Sequence, residues 1–262
     1  MAESPGQGGS EEDRDGAEEG PGNPTRSPDG SAQGPGGPAK KARRGRPPTT
    51  ALNQERILDT ALALVEREGP DALTLRRLGA ELGANHTAVL RHFSGKDEIL
   101  LGLADRLVEE ALDGFAPADD WRRTLETLAR RMRAACLAHP QVALLSTTRV
   151  SRRAAEFRGA DVVVGALRAA GFGERDAARY YRSLVDTALA LSSYEAAAAA
   201  LDGRSREGDR MAWRREYLAV PPALHPHLAA VAPYLAEADD DDKFETTLGL
   251  LLDAIAARAE AA

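Results

Sequence analysis

The side chains best suited to contact another molecule lie close together in residues 74–93, which carry hydroxyl, guanidinium and imidazole groups. Such groups bond to the edges of nucleic-acid bases and to phosphates. In the same stretch, Gly83 is typical of a helix C-cap and Asn85 of the N-cap of the next helix. Gly79, one turn earlier, lacks a side chain and lets the two helix axes approach closely. Two short helices separated by about three residues predict a helix-turn-helix.

A second candidate for nucleic-acid binding is the basic arm, residues 40–48, which places five Lys and Arg side chains in seven residues. Such a run is often only a solvated segment that aids solubility. Its position directly before the first predicted helix favours an extended arm that binds phosphate or enters the minor groove. Arg44 and Arg46 flank a glycine, as in the core of an AT-hook.

No arrangement of catalytic residues is evident. The sequence lacks a Gly-x-Ser-x-Gly motif, a phosphate-binding glycine loop and a His-Glu-x-x-His motif, so we expect neither enzyme activity nor a cofactor. Cys136 is the single cysteine, which excludes an internal disulfide and a cysteine-rich zinc site. It lies on the apolar stripe of a predicted helix and is expected to be a small core residue. His225 and His227 alone are too few to predict a metal site.

The elements that must position these residues are helices. Ala, Leu and Arg dominate after Leu52, and apolar residues recur at helical spacing, as at Ile57, Ala61 and Val65. The protein is therefore expected to be all-α. The predicted helices cover residues 54–68, 74–82, 86–92, 96–113, 120–138, 141–150, 154–170, 174–200, 225–236 and 243–260.

Two local features refine this prediction. Ser94 and Asp97 predict a capping box at the start of the long helix 96–113. Residues 201–224 are polar and broken by Gly and Pro, so we expect a mobile loop there, with one short helix around 207–218.

Composition and charge divide the chain. Residues 1–48 contain 11 Gly and 8 Pro and no Ile, Leu, Val, Phe, Tyr or Trp, so they are expected to be a disordered tail. Residues 1–39 carry 2 basic and 8 acidic groups, whereas residues 40–100 carry 11 and 8. No apolar run resembles a signal peptide or a membrane span, which predicts a cytoplasmic protein with no membrane partner.

Over residues 50–100 the sequence resembles the TetR (tetracycline-repressor) family of transcription regulators. The matching features are Asn53-Gln-Glu-Arg-Ile-Leu58, Leu73-Thr-Leu-Arg-Arg-Leu78, and Leu90-Arg-His-Phe-Ser-Gly-Lys-Asp97 leading into a long fourth helix. The resemblance implies an N-terminal three-helix DNA-binding domain at residues 49–96. It also implies a larger helical domain for ligand binding and dimerisation at residues 97–262.

The resemblance also implies a role for each matching position. His86, Thr87 and Ala88 would meet base edges in the major groove, and Arg76 would reach a guanine. Leu90 stands where the family usually has tyrosine, so either an apolar contact to thymine replaces the hydroxyl contact or that base pair is unread. Phosphate contacts are implied for Thr74, Arg91, His92 and Lys96.

Plainer interpretations stay open for several of these residues. His92 can hydrogen-bond within the three-helix core, and Thr87 can be an ordinary residue of the first helical turn. Arg91 and Arg77 can be solvated charges.

For the larger domain the resemblance implies a homodimer and a small-molecule effector. The small residues of helices 174–200 and 243–260 suit a four-helix interface, and two-fold symmetry matches a palindromic operator. A ligand cavity is expected among the fourth to eighth helices. Its candidate lining residues, each of which can equally be ordinary core, are Phe115, Met132, Leu145, Arg149, Tyr181 and Tyr194. Arg149 stands out because a cation on a mostly apolar helix requires an anion.

These observations predict a sequence-specific DNA-binding transcriptional regulator. We expect a repressor of a double-stranded DNA operator, which the effector releases by favouring a wider spacing of the recognition helices. One alternative is a DNA-binding regulator controlled by a partner protein. Another is an all-helical enzyme or carrier, against which the missing catalytic residues and the adjoining basic arm argue.

Overall fold

The computed structural model describes residues 52–146, 149–237 and 240–260, and in these residues it contains eleven α-helices and no strand. The expectation of an all-α protein is confirmed. The helices are α1 (Gln54–Glu68), α2 (Leu75–Glu81), α3 (His86–Val89), α4 (Lys96–Leu112), α5 (Trp121–Ala138), α6 (Pro140–Ser146), α7 (Ala154–Ala169), α8 (Glu174–Ala200), α9 (Gly203–Ala212), α10 (Pro226–Glu237) and α11 (Asp240–Ala259). The tail expected at residues 1–48, with Arg44 and Arg46, lies outside the described residues.

The first helix forms where its sequence predicts it. Asn53 caps α1, because its Oδ1 accepts a hydrogen bond from the Arg56 backbone N at 2.8 Å. The predicted apolar stripe is buried along its length. Gly69 ends the helix with φ of +83°, and a single 3-10 turn follows at Pro70–Ala72.

The start of α4 corrects one prediction. Glu98, not Asp97, reaches back to the preceding turn, where its Oε2 accepts from the Ser94 backbone N at 2.5 Å. Hydrogen bonds from Ser94 are the main cause that lowers the pKa of Glu98. Gly95 occupies the N-cap position and supplies no side-chain cap, so the reaching carboxylate lies one residue later than predicted.

Helix α6 and the stretch after α8 also differ from prediction. Helix α6 ends at Ser146 rather than at residue 150. Residues 203–217 form α9 and a π-helical turn, Trp213–Tyr217, where a loop with one shorter helix was expected. The reason is the cap at Asp202, whose Oδ1 accepts from the backbone N of Arg204 and of Ser205 at 3.0 and 3.1 Å.

The described residues contain two buried apolar clusters. The first is built on α1 to α4 and includes Phe93, and it extends to Val142 of α6 and Ala196 of α8. The second joins α5, α7, α8 and α11, with Phe244 and Leu167 fully buried. The three-helix unit therefore shares its core with the larger domain through α4 and α6.

Helices α1 and α4 pack at very short range. A Cβ atom placed on Gly102 would lie 2.6 Å from Cδ2 of Leu58, which is itself buried. Arg106 of α4 also forms an ion pair with Asp59 of α1. None of the described helices combines the length and the apolar character needed to cross a bilayer.

Candidate nucleic-acid interface and effector cavity

The turn between α2 and α3 has the geometry that its glycines predict. Gly83 has φ of +63°, the left-handed conformation that favours glycine. The Ala84 N donates to the Gly79 carbonyl at 2.8 Å and the Gly83 N to the Ala80 carbonyl at 3.1 Å. These two bonds form a Schellman motif, which ends α2 and reverses the chain toward α3.

Gly79 sets the distance between α2 and the start of α3. A Cβ atom at this position would lie 3.0 Å from the Ala84 carbonyl oxygen and 3.1 Å from the His86 backbone N. Both neighbours are backbone atoms, so a larger residue could be accommodated only by moving α3. The predicted close approach of the two helices is confirmed.

Asn85 begins α3 as predicted. Its Oδ1 accepts from the Ala88 backbone N at 2.9 Å and from the Thr87 hydroxyl at 2.6 Å. The helix is shorter than the predicted 86–92, because residues 90–92 tighten into turns in which the His92 N donates to the Val89 carbonyl. Val89 and Phe93 remain the buried side.

The described residues that are predicted to contact DNA lie at the start of α2, on α3 and the turn after it, and at the first position of α4. Most are exposed: Thr74, Arg76, His86, Thr87, Leu90, Arg91 and Lys96. Ala88 and His92 are half-buried. Thr74 also caps α2, since its hydroxyl oxygen accepts from the Arg77 backbone N at 3.1 Å. The Lys96 Nζ lies 3.3 Å from the Pro70 carbonyl oxygen and donates to it.

Arg77 belongs to a small ion-pair cluster on the surface. Its Nη2 lies 2.9 Å from an oxygen of Glu68 and 3.1 Å from one of Glu81. Arg67 bonds to the same two carboxylates, and its hydrogen bond to Glu68 is the main cause that lowers the pKa of Glu68. Arg77 is therefore an ion-paired surface residue rather than the solvated charge of the plainer interpretation.

The larger part of the chain contains a cavity of about 360 Å³ among α4, α5, α7 and α8. Its wall is mostly apolar, with Leu107, Leu125 and Val163 among the lining residues. This volume and character are typical of small-molecule sites in proteins. We call it the effector cavity.

Three of the six residues predicted to line a cavity do so: Met132, Arg149 and Tyr181. Phe115 instead faces a second pocket of about 770 Å³, whose walls mix apolar and charged residues, and the Arg131 guanidinium lies 5.9 Å from its ring centroid. Leu145 packs against the first apolar cluster. Tyr194 is 66% exposed on α8, so it faces solvent rather than the cavity.

Sequence reasoning missed the residues of α7 that make room for the cavity. Gly159, Ala160 and Val163 all line it. They follow the spacing i, i+1, i+4, which places small side chains on one face of a helix. That stripe of small residues was a visible signal, although small residues also occur wherever two helices pack closely.

Cys136 lines the cavity but is not set up as a nucleophile. Burial, together with Glu110 and Glu195, raises the pKa of its thiol to about 12. The thiol is therefore protonated at neutral pH, which supports its interpretation as a small apolar core residue.

Arg149 has the anionic partner that its charge requires. Arg149 itself does not lie on a helix as predicted, because α6 ends before this residue. Its Nη2 lies 2.7 and 2.8 Å from the two carboxylate oxygens of Asp97 in the first turn of α4. One side chain thus borders the cavity and also contacts the helix that follows the helix-turn-helix.

Comparison with known families gives two matches. The family described as "Bacterial regulatory proteins, tetR family" matches residues 57–103, and the one described as "Tetracyclin repressor-like, C-terminal domain" matches residues 114–259. The chain is also 32% identical over 212 residues to the class A tetracycline repressor from transposon 1721 of Escherichia coli. That alignment covers 80% of this chain and 93% of the repressor.

Solved structures agree with these matches. The Streptomyces coelicolor TetR family protein ActR, solved in complex with actinorhodin, has a TM-score of 0.72 at 27% identity, covering 81% of this chain and all of ActR. A possible TetR family regulator from Streptomyces coelicolor A3(2) has a TM-score of 0.65 at 35% identity, over 78% of this chain and 99% of that one.

Proposed function

The chain belongs to the tetracycline-repressor (TetR) family of bacterial transcription regulators. We propose that it is a repressor whose effector is a small organic molecule. It binds its operator in the absence of effector and leaves it when the effector cavity is filled. The effector acts by binding one arrangement of α4 more tightly than the other, which shifts the population between DNA-competent and released forms.

One observation carries this proposal. Helix α4 follows α3 after residues 90–95 and packs against α1 of the three-helix unit. Through Ala104, Leu107 and Val108 it also forms one wall of an apolar cavity. A molecule in the cavity therefore touches the same helix that holds the helix-turn-helix in place. A cavity of this kind also supports a small-molecule effector over control by a protein partner.

We assign the base-edge and phosphate contacts to the positions for which the resemblance to the family implies them. His86, Thr87, Ala88 and Leu90 contact base edges, and Arg76 contacts a guanine. The phosphate contacts come from Thr74, Arg91, His92 and Lys96. Arg44 and Arg46 of the basic arm lie in the adjoining minor groove.

The small-molecule effector is supported by a relative. ActR, whose alignment covers 81% of this chain, was solved with actinorhodin and with (S)-DNPA bound. The effector cavity of this chain is the corresponding candidate site for a ligand of its own. We place its ligand contacts at Met132, Arg149 and Tyr181.

The experiment is a selection of DNA fragments from the protein's own genome, followed by footprinting. We expect a palindromic site whose half-sites lie about one helical turn apart.

Variants test the assigned contacts. Arg76→Ala should weaken operator binding by roughly 1 to 3 kcal/mol and relax specificity at one base pair, whereas Arg91→Ala should weaken binding to all sequences evenly. Deletion of residues 40–46 should flatten the dependence of affinity on salt, because fewer counterions are released.

Arg168→Ala is the matched control, because Arg168 is an exposed arginine on α7. It should leave operator affinity unchanged. A protein that holds no genomic fragment more tightly than bulk competitor DNA contradicts the proposed function.

A further inference from the structure

The connection between α6 and α7, residues 149–153, is attached to the beginning of α4 at several points. Arg149 bonds to Asp97, as described. The Arg153 Nη2 lies 3.4 Å from both the backbone carbonyl oxygen and the side-chain Oε1 of Glu98. The same guanidinium lies 5.8 Å from the ring centroid of Phe93, a core residue of the helix-turn-helix.

A further attachment fixes the other end of this connection. Asp105 of α4 accepts from the Ser151 hydroxyl at 3.0 Å and from the Glu156 backbone N at 2.9 Å. Ser151 and Glu156 both line the effector cavity, as does Arg149. The stretch of chain that closes the cavity on this side is therefore the one that holds the start of α4.

Two cations among the described residues line the cavity, and Arg149 differs from Arg182 in where its counter-charge lies. The Glu156 carboxylate accepts from the Arg152 backbone N at 2.9 Å, and Asp186 pairs with Arg182 at 3.4 Å, so both carboxylates already have a partner. Asp97, the partner of Arg149, does not line the cavity. Arg149 is thus a cation at the cavity wall whose counter-charge is outside.

Release of Asp97 from Arg149 requires little free energy. The Asp97 side chain is 71% exposed and that of Arg149 is 34% exposed. When Asp97 is released, its carboxylate returns to water and leaves no buried charge without a partner. Tyr181 also lines the cavity and supplies a hydroxyl that can donate to an acidic ligand, and burial raises the pKa of that hydroxyl.

We propose that the effector is an organic anion with an apolar body, and that its acidic group takes Arg149 from Asp97. The body fills the apolar cavity and the acidic group forms charge-assisted hydrogen bonds with the guanidinium. Loss of the Arg149–Asp97 pair then removes one of the contacts that hold the first turn of α4 to the cavity wall, and this loosening lowers operator affinity. This inference rests on the proposed function and adds the chemical class of the ligand and the contact through which it acts.

The test compares two pairs of fluorescent probes that differ only in charge. They are naphthalene-2-carboxylate and anthracene-2-carboxylate, each paired with its neutral carboxamide. Titration of the full-length protein should show that at least one acid binds about tenfold or more tightly than its amide, because a hydrogen bond to a charged group is stronger than one to a neutral group. The same acid should release the genomic fragment at lower concentration than its amide does.

Variants identify the contact. Arg149→Met should abolish the preference for the acid, and Arg149→Lys should retain part of it, because lysine keeps the charge without the planar fork. Asp97→Asn should tighten binding of the acid by about two- to fivefold, since an exposed competitor is removed, and leave the amide unaffected. Arg158→Met, an exposed arginine of α7 that does not line this cavity, is the control and should keep the wild-type preference.

The outcomes separate this inference from the proposed function. Equal binding of acid and amide by the wild-type protein, binding by neither acid, or a preference that survives Arg149→Met overturns the inference, whether or not an operator is found. A protein that binds the acid through Arg149 but selects no operator retains the ligand class and overturns the proposed function. The wild-type comparison needs no variant, so the inference stays testable if a variant fails to fold.

Discussion

Gly79 and Gly165 both lie inside helices, but the space around them differs. A Cβ atom on Gly79 would meet backbone atoms of the turn and of α3, whereas one on Gly165 of α7 would meet nothing within 4 Å. Glycine lowers helix stability relative to alanine wherever there is room for the methyl group. The same substitution should therefore have opposite effects at the two positions.

We expect Gly79→Ala to lower the free energy of unfolding by roughly 1 to 3 kcal/mol, because α3 must move away from α2. It should also weaken operator binding. Gly165→Ala should raise the free energy of unfolding by about 0.5 to 1 kcal/mol and leave operator binding unchanged. Urea denaturation of the two variants measures both effects, and a Gly79→Ala protein as stable as wild type would contradict the geometry described for the turn.

At the level of single residues, local chemistry was predictable and long-range contacts were not. Gly79, Gly83 and Asn85 lie within seven residues and form their contacts with near neighbours in the chain, so their types and spacing were enough to predict the turn. The partner of Arg149 is 52 positions earlier in the chain. Nothing in the sequence around Arg149 indicates Asp97, because their contact exists only once α4 and the α6–α7 connection have packed.

Three helices meet at a buried charge. Arg133 of α5 and Glu195 of α8 are largely buried, and the Arg133 Nε lies 2.6 Å from a Glu195 carboxylate oxygen. The same guanidinium lies 4.9 Å from the ring centroid of Phe244 in α11. A buried ion pair adds little net stability, but removal of one partner is costly because the other charge remains in a low-dielectric site.

We expect Glu195→Ala to lower the free energy of unfolding by about 3 kcal/mol, because the largely buried Arg133 would lose this ion pair. The double variant Arg133→Met with Glu195→Leu should recover at least half of that loss, since neither charge remains to be desolvated. Denaturation of the single and double variants forms the test. If the double variant proves less stable than the single one, the pair stabilises the helices directly and this explanation is wrong.

Apolar periodicity predicted most of the helices because each long helix buries one stripe. Apolar periodicity failed to predict helices that bury no apolar stripe. Helix α9 carries Gly203 and Gly208 and exposes its described side chains, so its sequence is typical of a loop. Its start was nevertheless visible in Asp202, which caps the first turn. The early end of α6 has no comparable local signal.

On the scale of the whole molecule, α8 and α11 expose large apolar side chains that a single chain leaves in water. Tyr194 of α8 is 66% exposed and Leu250 of α11 is 67% exposed. The two helices also pack on each other through the second apolar cluster. We take this surface as the candidate for contact with a second copy of the chain, and two-fold symmetry would then place two recognition helices on one palindrome.

We expect the double variant Tyr194→Glu with Leu250→Glu to be a monomer, because it places four charges in a symmetric apolar interface. Its operator affinity should fall at least tenfold, since a single half-site remains per particle. Sedimentation velocity and footprinting measure the two results. Leu224→Glu, an exposed leucine outside both helices, is the control and should remain a dimer. If the double variant still forms dimers, the interface lies elsewhere on the chain.

The contact between Leu58 and Gly102 has a consequence for any attempt to exchange DNA specificity between relatives. Because a leucine methyl group occupies the place of a side chain on the neighbouring helix, the natural border for a chimaera does not fall at the start of α4. A hybrid that takes residues 52–95 from one parent and the remainder from another brings together two surfaces that were never fitted to each other. An exchange of the DNA-binding segment should therefore give a stable protein only when Leu58 and Gly102 come from the same parent.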